Sequence, residues 1–491
     1  MKNLILIALI FTAACSKQTQ HSTATPLNKK PIALAAQSSE TPTQTENWKT
    51  QLDHIVSTAH NYVGFEGAVI LSVSGQTYQA NSPLQAAEVS GTLTDPPLFS
   101  VGSIGKEFTT IAIMRLNDAG RISLDDKIVR YLDNLPTWAE GISIENLLTH
   151  SSGLPRIKWK ENIVTDDVIG QIDEIKSLRF APGKGYQYSN LNVVLRALIV
   201  EKITGKPFNH YARKTLFTPA GMTNTISTSQ PDFTRKMVIA GDYATDIQGV
   251  SFYSSVGDLL KWEEALWNGT LVSRKQLVQA IKKESESGQI GRAGYDFGSY
   301  KSDPDGKLLE VKHDGSNPSH HALKYNDIKQ GHVFAAMSAD GRKATLYEIK
   351  NYLWQMGTSD TRLVPGQWWL RKNIEELGFE VAFPAYLELV EAGNKLLTSE
   401  ETLNILGYQM MNDSKMQEAT ILLAQNLKAF PQSANAHDSY ADVLVRSKKY
   451  MQAEGVIAKG LELARKDGNQ MLINSLQGYL KTIHENRPLP E

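Results

Sequence analysis

A serine and a lysine three positions apart are the clearest candidates for chemistry in this chain. Ser103 and Lys106 bound its only Ser-x-x-Lys segment, where an extended stretch runs into a predicted apolar helix. The spacing puts both side chains on one helix face. A serine hydroxyl becomes nucleophilic when a neighbouring base takes its proton, and a neutral lysine amine can be that base. Taken alone, the pair favours a serine N-cap beside a solvated lysine, which is a common arrangement.

Two later segments carry groups that suit the same chemistry. Tyr188 and Asn190 bound the only Tyr-x-Asn in the chain; a phenol can relay a proton, and an amide can hold a substrate carbonyl. His313 and Gly315 follow a predicted strand, where an imidazole can bind a substrate carboxylate or leaving group and a glycine allows close backbone approach. Each segment is a weak indication by itself.

The elements that must position these groups are strands at both ends of a region with helices between them. Hydrophobic patterning predicts early strands and late strands, at 65–73, 77–80, 308–311, 321–325 and 332–336. It predicts helices at 102–119, 144–148, 191–203 and 258–267. This order predicts an α+β domain whose terminal strands meet in one antiparallel sheet.

The order and context of the motifs resemble the serine β-lactamase and penicillin-binding family, in its class C and carboxypeptidase branch. The segments that carry the likeness are FSVGSIGKEF (99–108), LNDAGRISL (116–124), LLTHSSGLP (147–155), FAPG (180–183), YSN (188–190), PAGM (219–222) and SSVGDL (254–259). The resemblance covers about residues 47–356. It implies a β-lactamase/transpeptidase-like fold, with a sheet flanked by helices and an all-helical part.

The resemblance also implies an acyl-transfer site that works without metal or cofactor. Ser103 would be the nucleophile, Lys106 its main base, and Tyr188 the group that passes the proton to the leaving group. Which of Lys106 and Tyr188 takes the first proton stays open, because the two titrate together.

The same resemblance assigns four substrate-binding positions. Asn190 would contact the substrate amide or carbonyl, and His313 its carboxylate or leaving group. Next to Gly315, the backbone N–H of Ser316 would form the oxyanion hole together with the N–H of the nucleophile. His150, within LLTHSSGLP, is interpreted as structural rather than as part of a triad. No metal site is predicted at His320 and His321, which lack a carboxylate at helical ligand spacing.

The third motif departs from the usual β-lactamase pattern, which has Lys-Thr-Gly where this chain has His-Asp-Gly at 313–315. Lysine is a permanent cation for an antibiotic carboxylate, whereas histidine is largely neutral above a pKa of about 6.5. We therefore expect a serine hydrolase that cleaves amide or ester bonds of peptides or small esters, with D-alanyl cell-wall peptides among the candidates. The alternatives are a true β-lactamase and a non-catalytic lipoprotein that binds partners through its C-terminal repeats.

The N-terminus has the layout of a secretory signal. A lysine precedes eight apolar residues, and small residues then lead to Cys15. Eight residues span only about 12 Å as a helix, which is too short for a bilayer. The cysteine resembles the lipobox of bacterial lipoproteins, which implies a signal peptide at 1–14, lipidation of Cys15 and anchoring to a bacterial membrane on its periplasmic or outer-membrane face. An ordinary signal peptide with an incidental cysteine is the alternative.

The remaining chain divides by composition. Residues 15–46 are rich in Ser, Thr, Gln and Pro and predict a disordered tether. The hydrolase domain is predicted at 47–356, a packing segment containing Trp368 and Trp369 at 357–383, and a helical domain at 384–491. There, Leu406, Ala419 and Leu423 correspond to Tyr440, Ala453 and Ile457, each 34 residues later, and this period resembles the tetratricopeptide (TPR) repeat. This domain is either an appendage of the hydrolase or a docking surface for a protein partner.

Composition excludes several other classes of protein. The chain has 51 Lys and Arg against 52 Asp and Glu, so it lacks the excess of cations that nucleic-acid binding requires. A single cysteine excludes a disulfide scaffold, a thiolate zinc site and an iron–sulfur cluster. The hydrophobic fraction of 41% is sufficient for a substantial core.

Overall fold

The computed structural model describes residues 44–84, 96–230, 238–239, 245–283, 294–357, 362–393 and 396–486. The predicted signal peptide, Cys15 and nearly all of the predicted tether lie outside these residues. The helices are α1 Gln44–Val63, α2 Lys106–Asp118, α3 Ile144–Leu148, α4 Thr165–Asp173, α5 Asn190–Thr204, α6 Phe208–Ala212, α7 Val256–Trp267, α8 Arg274–Lys282, α9 Lys343–Met356, α10 Gly366–Leu377, α11 Phe379–Glu391, α12 Glu400–Asn412, α13 Met416–Ala429, α14 Ala434–Arg446, α15 Tyr450–Lys466 and α16 Gln470–Asn486. The strands are β1 Gly67–Val73, β2 Gln76–Asn81, β3 Phe99–Ser100, β4 Ile226–Ser227, β5 Phe252–Ser254, β6 Ser299–Ser302, β7 Leu308–Ser316, β8 His321–Asp327, β9 His332–Ser338, β10 Val364–Pro365 and β11 Leu396–Leu397.

The principal sheet joins the two ends of the hydrolase region, as predicted. Its six antiparallel strands lie in the order β2-β1-β9-β8-β7-β6, so the first strand pairs with the last. Alternating side chains of β1 enter two different cores: Ala68 and Ile70 join one, and Val69 and Leu71 join the other. This alternation is the two-residue period of a strand that is covered on both faces.

Helix α2 forms the centre of the larger core. Ten of its 13 residues are buried, including Lys106 and Glu107 in its first turn. A helix that is buried on all sides is fixed by packing all along its length. The strand β7 is longer than predicted, because it continues through His313 and Gly315 to Ser316. Polar residues in its second half concealed this continuation.

The C-terminal part is helical, as predicted, apart from the two-residue strand β11. Ser414 and Lys448, 34 residues apart, both adopt left-handed backbone conformations between successive helices. The predicted boundary at residue 384 falls inside α11. Trp368 packs with the core beneath α1 and α9, whereas Trp369 packs with that of α12 and α13. No helix in the described ranges is both long and apolar enough to cross a membrane.

Candidate active site

The nucleophile segment is a short 3-10 helix, Gly102–Gly105, which leads directly into α2. It carries Ser103, and Lys106 is the first residue of α2. The Nζ atom of Lys106 lies 3.1 Å from Oγ of Ser103. If the amine is neutral, it accepts the hydroxyl proton across this contact. The anchoring of α2 in the core fixes the separation of the two groups.

Tyr188 reaches the same oxygen from a distant loop. Its hydroxyl donates a hydrogen bond of 2.9 Å to Oγ of Ser103, and Nζ of Lys106 lies 5.0 Å from the centre of its ring. The loop ends at Ser189, whose side chain caps the N-terminus of α5 by accepting from the N–H of Leu191. The structure therefore brings Lys106 and Tyr188 within hydrogen-bond reach of the third predicted catalytic group, the hydroxyl of Ser103.

Two glycines allow the nucleophile segment to lie directly against β7. A Cβ atom on Gly315 would lie 1.9 Å from the carbonyl oxygen of Val101 and 3.0 Å from the backbone nitrogen of Ser103. Gly102, with φ of +52°, would place a Cβ atom 2.6 Å from the backbone nitrogen of Ser316. The backbones are therefore in contact where the oxyanion hole was predicted.

A cleft of about 530 Å³ opens beside these groups. Ser103, Lys106, Tyr188, Asn190 and Ser316 all line it. Asn190 begins α5, and its buried Oδ1 atom has no hydrogen-bond partner within the described parts of the chain. This oxygen is an acceptor available to a substrate N–H group.

His313 lies behind the nucleophile and does not line this cleft. Its Nδ1 atom is 2.6 Å from Oε1 of Glu107, the residue after Lys106. Its neighbour on β7, Asp314, is paired with Lys343 at 2.6 Å. Asp314 does not line the cleft either. The structure therefore does not place the imidazole with the other predicted substrate-binding groups.

Glu107 was not singled out from the sequence, although it is a buried charge centre. Its carboxylate lies 3.0 Å from Nζ of Lys324 and accepts a 2.8 Å hydrogen bond from the indole of Trp262. Burial alone would raise the pKa of Glu107, but Lys324 and His313 outweigh it and hold that pKa below its usual value. Lys324 also contacts Glu263 at 2.6 Å. A lysine within the apolar strand β8 was the available indication.

Two other histidines considered in the sequence, His150 and His320, have structural partners. His150 is buried and contacts Asp296 at 2.8 Å instead of the nucleophile, so it forms no Ser-His-Asp triad. His320 accepts a hydrogen bond of 2.9 Å from the backbone N–H of Ser100, which connects β3 to the start of β8. The structure thus agrees with the interpretation of His150 as a residue outside the nucleophile–base pair.

Comparison with known proteins identifies the family. A family model described as Beta-lactamase matches residues 55–355, which is more than half of the chain. The chain belongs to the β-lactamase family. It is therefore a member of a family of serine hydrolases, and penicillin-binding proteins are among its sequence relatives.

Individual relatives are distant. The putative penicillin-binding protein PbpX of Bacillus subtilis is 28% identical over 251 residues, 46% of this chain and 61% of that protein. The D-alanyl-D-alanine-carboxypeptidase/endopeptidase AmpH of Escherichia coli is 27% identical over 37% of this chain and 52% of its own length. This chain thus spans less than two thirds of either relative. A D-amino acid amidase from Ochrobactrum anthropi shares the fold, with a TM-score of 0.52, 22% identity and coverage of 63% of this chain and 98% of the amidase.

Proposed function

We propose that this protein is a serine hydrolase that forms an acyl-enzyme at Ser103 and cleaves amide or ester bonds of peptides or small esters. The observation that carries the proposal is the convergence of Lys106 and Tyr188 on one hydroxyl, at 3.1 and 2.9 Å. Two polar hydrogen-bonding groups of different chemistry on one serine oxygen suit a relay in which one removes a proton and the other delivers it.

The proposed reaction has two halves. Ser103 loses its proton to neutral Lys106 as its oxygen attacks the substrate carbonyl, and the backbone N–H groups of Ser103 and Ser316 stabilise the oxyanion. Tyr188 then delivers a proton to the departing nitrogen or oxygen. Water attacks the acyl-enzyme, and the same groups move protons in reverse. Acid–base relay of this kind contributes about 10²–10⁴-fold to the rate.

The charges around the cleft favour substrates that are neutral beside the scissile bond. Lys106 is the only lysine, arginine or histidine among the residues that line the described cleft, and the proposed reaction uses its amine in the neutral form. His313 is turned to Glu107, so it is occupied by a carboxylate of the protein itself. D-Alanyl amides, internal D-peptide bonds and simple esters therefore fit better than β-lactams, which present a carboxylate. One relative is named a D-alanyl-D-alanine-carboxypeptidase/endopeptidase, and the endopeptidase part of that name supports internal D-alanyl bonds, which carry no carboxylate beside the scissile bond.

Labelling with a fluorophosphonate probe, read by intact mass, tests the proposal. We expect one adduct on the wild type, none on Ser103→Ala, and an adduct on Ser251→Ala, which removes another hydroxyl of the cleft wall. Lys106→Ala should lower turnover of a D-alanyl amide at least about 10²-fold. An unlabelled wild type would exclude a hydrolase, and faster turnover of a chromogenic cephalosporin than of the amide would identify a β-lactamase.

We also propose that the mature chain is exported and held at a bacterial membrane by acylation of Cys15. The support is the predicted signal peptide and the lipobox-like residues before the cysteine. Several acyl chains would anchor the protein stably, since each buried CH₂ contributes about 0.8 kcal/mol. Metabolic labelling with palmitate should mark the wild type and spare Cys15→Ser. A processed but unlabelled wild type would indicate an ordinary signal peptide.

The helices from α12 to α16 are proposed to be a TPR-like unit. The 34-residue recurrence extends to hydrogen bonds, since the backbone N–H groups of Lys415 and Lys449 each donate at 2.8 Å to the carbonyl five residues earlier. Gly407 lets the paired helices approach closely, because a Cβ there would lie 2.6 Å from Leu423. A protein partner for this unit would be captured by the full chain and lost on deletion of 434–491.

A further inference from the structure

We infer that His150 is a positioning residue for the proton relay: it holds Tyr188 so that the phenol points at Ser103, and Asp296 with Arg196 holds His150. The inference rests on the proposed role of Tyr188. We call His150, Asp296 and Arg196 the relay-side network. All three are buried, and none lines the described cleft.

His150 contacts Tyr188 in two ways. The two ring centres are 4.6 Å apart with the planes tilted by 40°. In addition, the N–H of Ser189, the residue after the tyrosine, donates to Nδ1 of His150 at 3.2 Å. One contact restrains the phenol ring and the other its backbone. Together they limit how the tyrosine can turn within a loop.

The hydrogen bonds assign the protonation state of His150. Its Nδ1 atom faces the Ser189 N–H and also the side-chain amide of Asn192 at 2.8 Å. The amide is oriented by Ser152, whose hydroxyl donates to Oδ1 of Asn192 at 2.6 Å, so the NH₂ group points at the histidine. A backbone N–H can only donate, so Nδ1 carries no proton. The proton is therefore on Nε2, which donates to Asp296 at 2.8 Å.

Asp296 links the histidine to the helices that carry the site. Its second oxygen accepts from Arg196 at 2.7 Å, and the same guanidinium donates to Thr110 at 3.0 Å. Thr110 lies one turn after Lys106 on α2, and Arg196 lies on α5, the helix that follows the tyrosine loop. The network thus connects the helix of the proposed base to the loop of the proposed relay.

A neutral imidazole is required by this arrangement. A second proton, on Nδ1, would face two donors at hydrogen-bond distance and repel them. The charged groups around the ring are Asp296, Arg196 and Lys106. Burial lowers the pKa of His150, and Asp296 only partly opposes that effect. Protonation at acid pH would therefore release Ser189 and, with it, the tyrosine loop.

The test compares substrates that differ in their need for leaving-group protonation. His150→Asn keeps a residue that tolerates the φ of +55° at this position. We expect it to lower kcat for a D-alanyl amide about 10²-fold and for a p-nitrophenyl ester only a few-fold, because nitrophenolate leaves without a proton. Tyr188→Phe should show the same bias. The double variant should be no slower on the amide than Tyr188→Phe alone.

Equal losses on both substrates, or losses that multiply in the double variant, would overturn the inference. If His150→Asn does not fold, Asn192→Ala is the substitute, because it removes one donor to Nδ1. It should lower the amide rate about 5–10-fold more than the ester rate, in line with one lost hydrogen bond. Equal losses of the amide and ester rates in Asn192→Ala would count against the role. Fluorophosphonate labelling separates the two hypotheses. An unlabelled wild type removes the proposed function, whereas a labelled wild type with an unchanged amide-to-ester ratio in His150→Asn removes only the inference.

Discussion

Two buried histidine–carboxylate–cation networks flank Ser103, and they differ in what the histidine does. In the relay-side network, Asp296 uses separate oxygens for His150 and Arg196. In the second, which we call the strand-side network and which consists of Glu107, His313, Lys324 and Glu263, one oxygen of Glu107 meets both His313 and Lys324. The two networks therefore contain similar groups, a histidine, a carboxylate and a cation, in two different arrangements.

The role of the relay-side network follows from the ring nitrogen of His150 that faces away from Asp296. In the relay-side network it accepts from the loop that carries Tyr188, so the network controls a side chain. In the strand-side network, His313 on β7 contacts Glu107 on α2 at 2.6 Å, so the network links the two elements that meet at the nucleophile. The role of each histidine therefore follows from its contacts and not from the residue types alone.

Removing each carboxylate is the strongest test of the comparison. Asp296→Ala leaves the fully buried Arg196 without its carboxylate partner, and this should lower the free energy of unfolding by about 3–5 kcal/mol. Glu107→Ala should have a smaller effect, because Lys324 keeps Glu263. Urea denaturation of both variants measures the difference. A larger loss in Glu107→Ala would mean that the strand-side network is the more dependent on a single carboxylate.

The glycine contact tests the close approach of the nucleophile segment to β7. Gly102→Ala should reduce turnover about 10²–10³-fold, as loss of one oxyanion donor does, since the added Cβ would push against the nitrogen of Ser316. Gly120→Ala is the matched control, because it also has positive φ, +64°, but no atom within 4 Å of the added Cβ. An equal loss of turnover in the two variants would show that backbone strain, and not the contact with β7, causes the loss.

The smallest expected effect is on the pH dependence of stability, where the two networks should differ in the pH range over which their contribution is lost. The folded-state pKa of His150 lies below its unfolded value of about 6.5, so the unfolded chain binds the extra proton first and stability falls as pH drops below about 6.5. Asp296 and Glu107 have lowered pKa values, so their contribution is present above about 4 and is lost as pH falls further.

His150→Asn should therefore flatten the stability curve between pH 7 and 5 while leaving the steep fall below pH 4. His54 and His332 also have lowered pKa values through burial, so the slope should shrink without disappearing. Chemical denaturation at several pH values measures it. An unchanged slope in His150→Asn would show that folding does not lower the pKa of this histidine, and a steeper slope would show that it is protonated in the folded state.

Sequence analysis identified residues that the structure brings together at one cleft, but not the buried residues that support them. Ser103, Lys106, Tyr188 and Asn190 were found because each lies in a short motif whose order along the chain carries information. Asp296 was missed because its histidine partner is 146 residues away, and Glu107 because His313 is 206 residues away. A lone acidic residue looks the same in sequence whether it is solvated or buried.

The fold followed the same rule. The sheet and the long apolar helices were predictable because burial imposes a period on the sequence. The extension of β7 through His313 was not predictable, because the polar residues there break the apolar pattern. The end of the hydrolase region was also obscured, because Trp368 and Trp369 divide one sequence pair between two cores.

The contact between Gly102 and Gly315 has a consequence for how this enzyme can diversify. Main-chain atoms set the width of that end of the cleft, so no side-chain replacement can widen it, and almost any replacement would narrow it. Trp159 also lines the cleft, and half of its surface is exposed to solvent. Changes in substrate range, in nature or in the laboratory, should therefore accumulate around that indole.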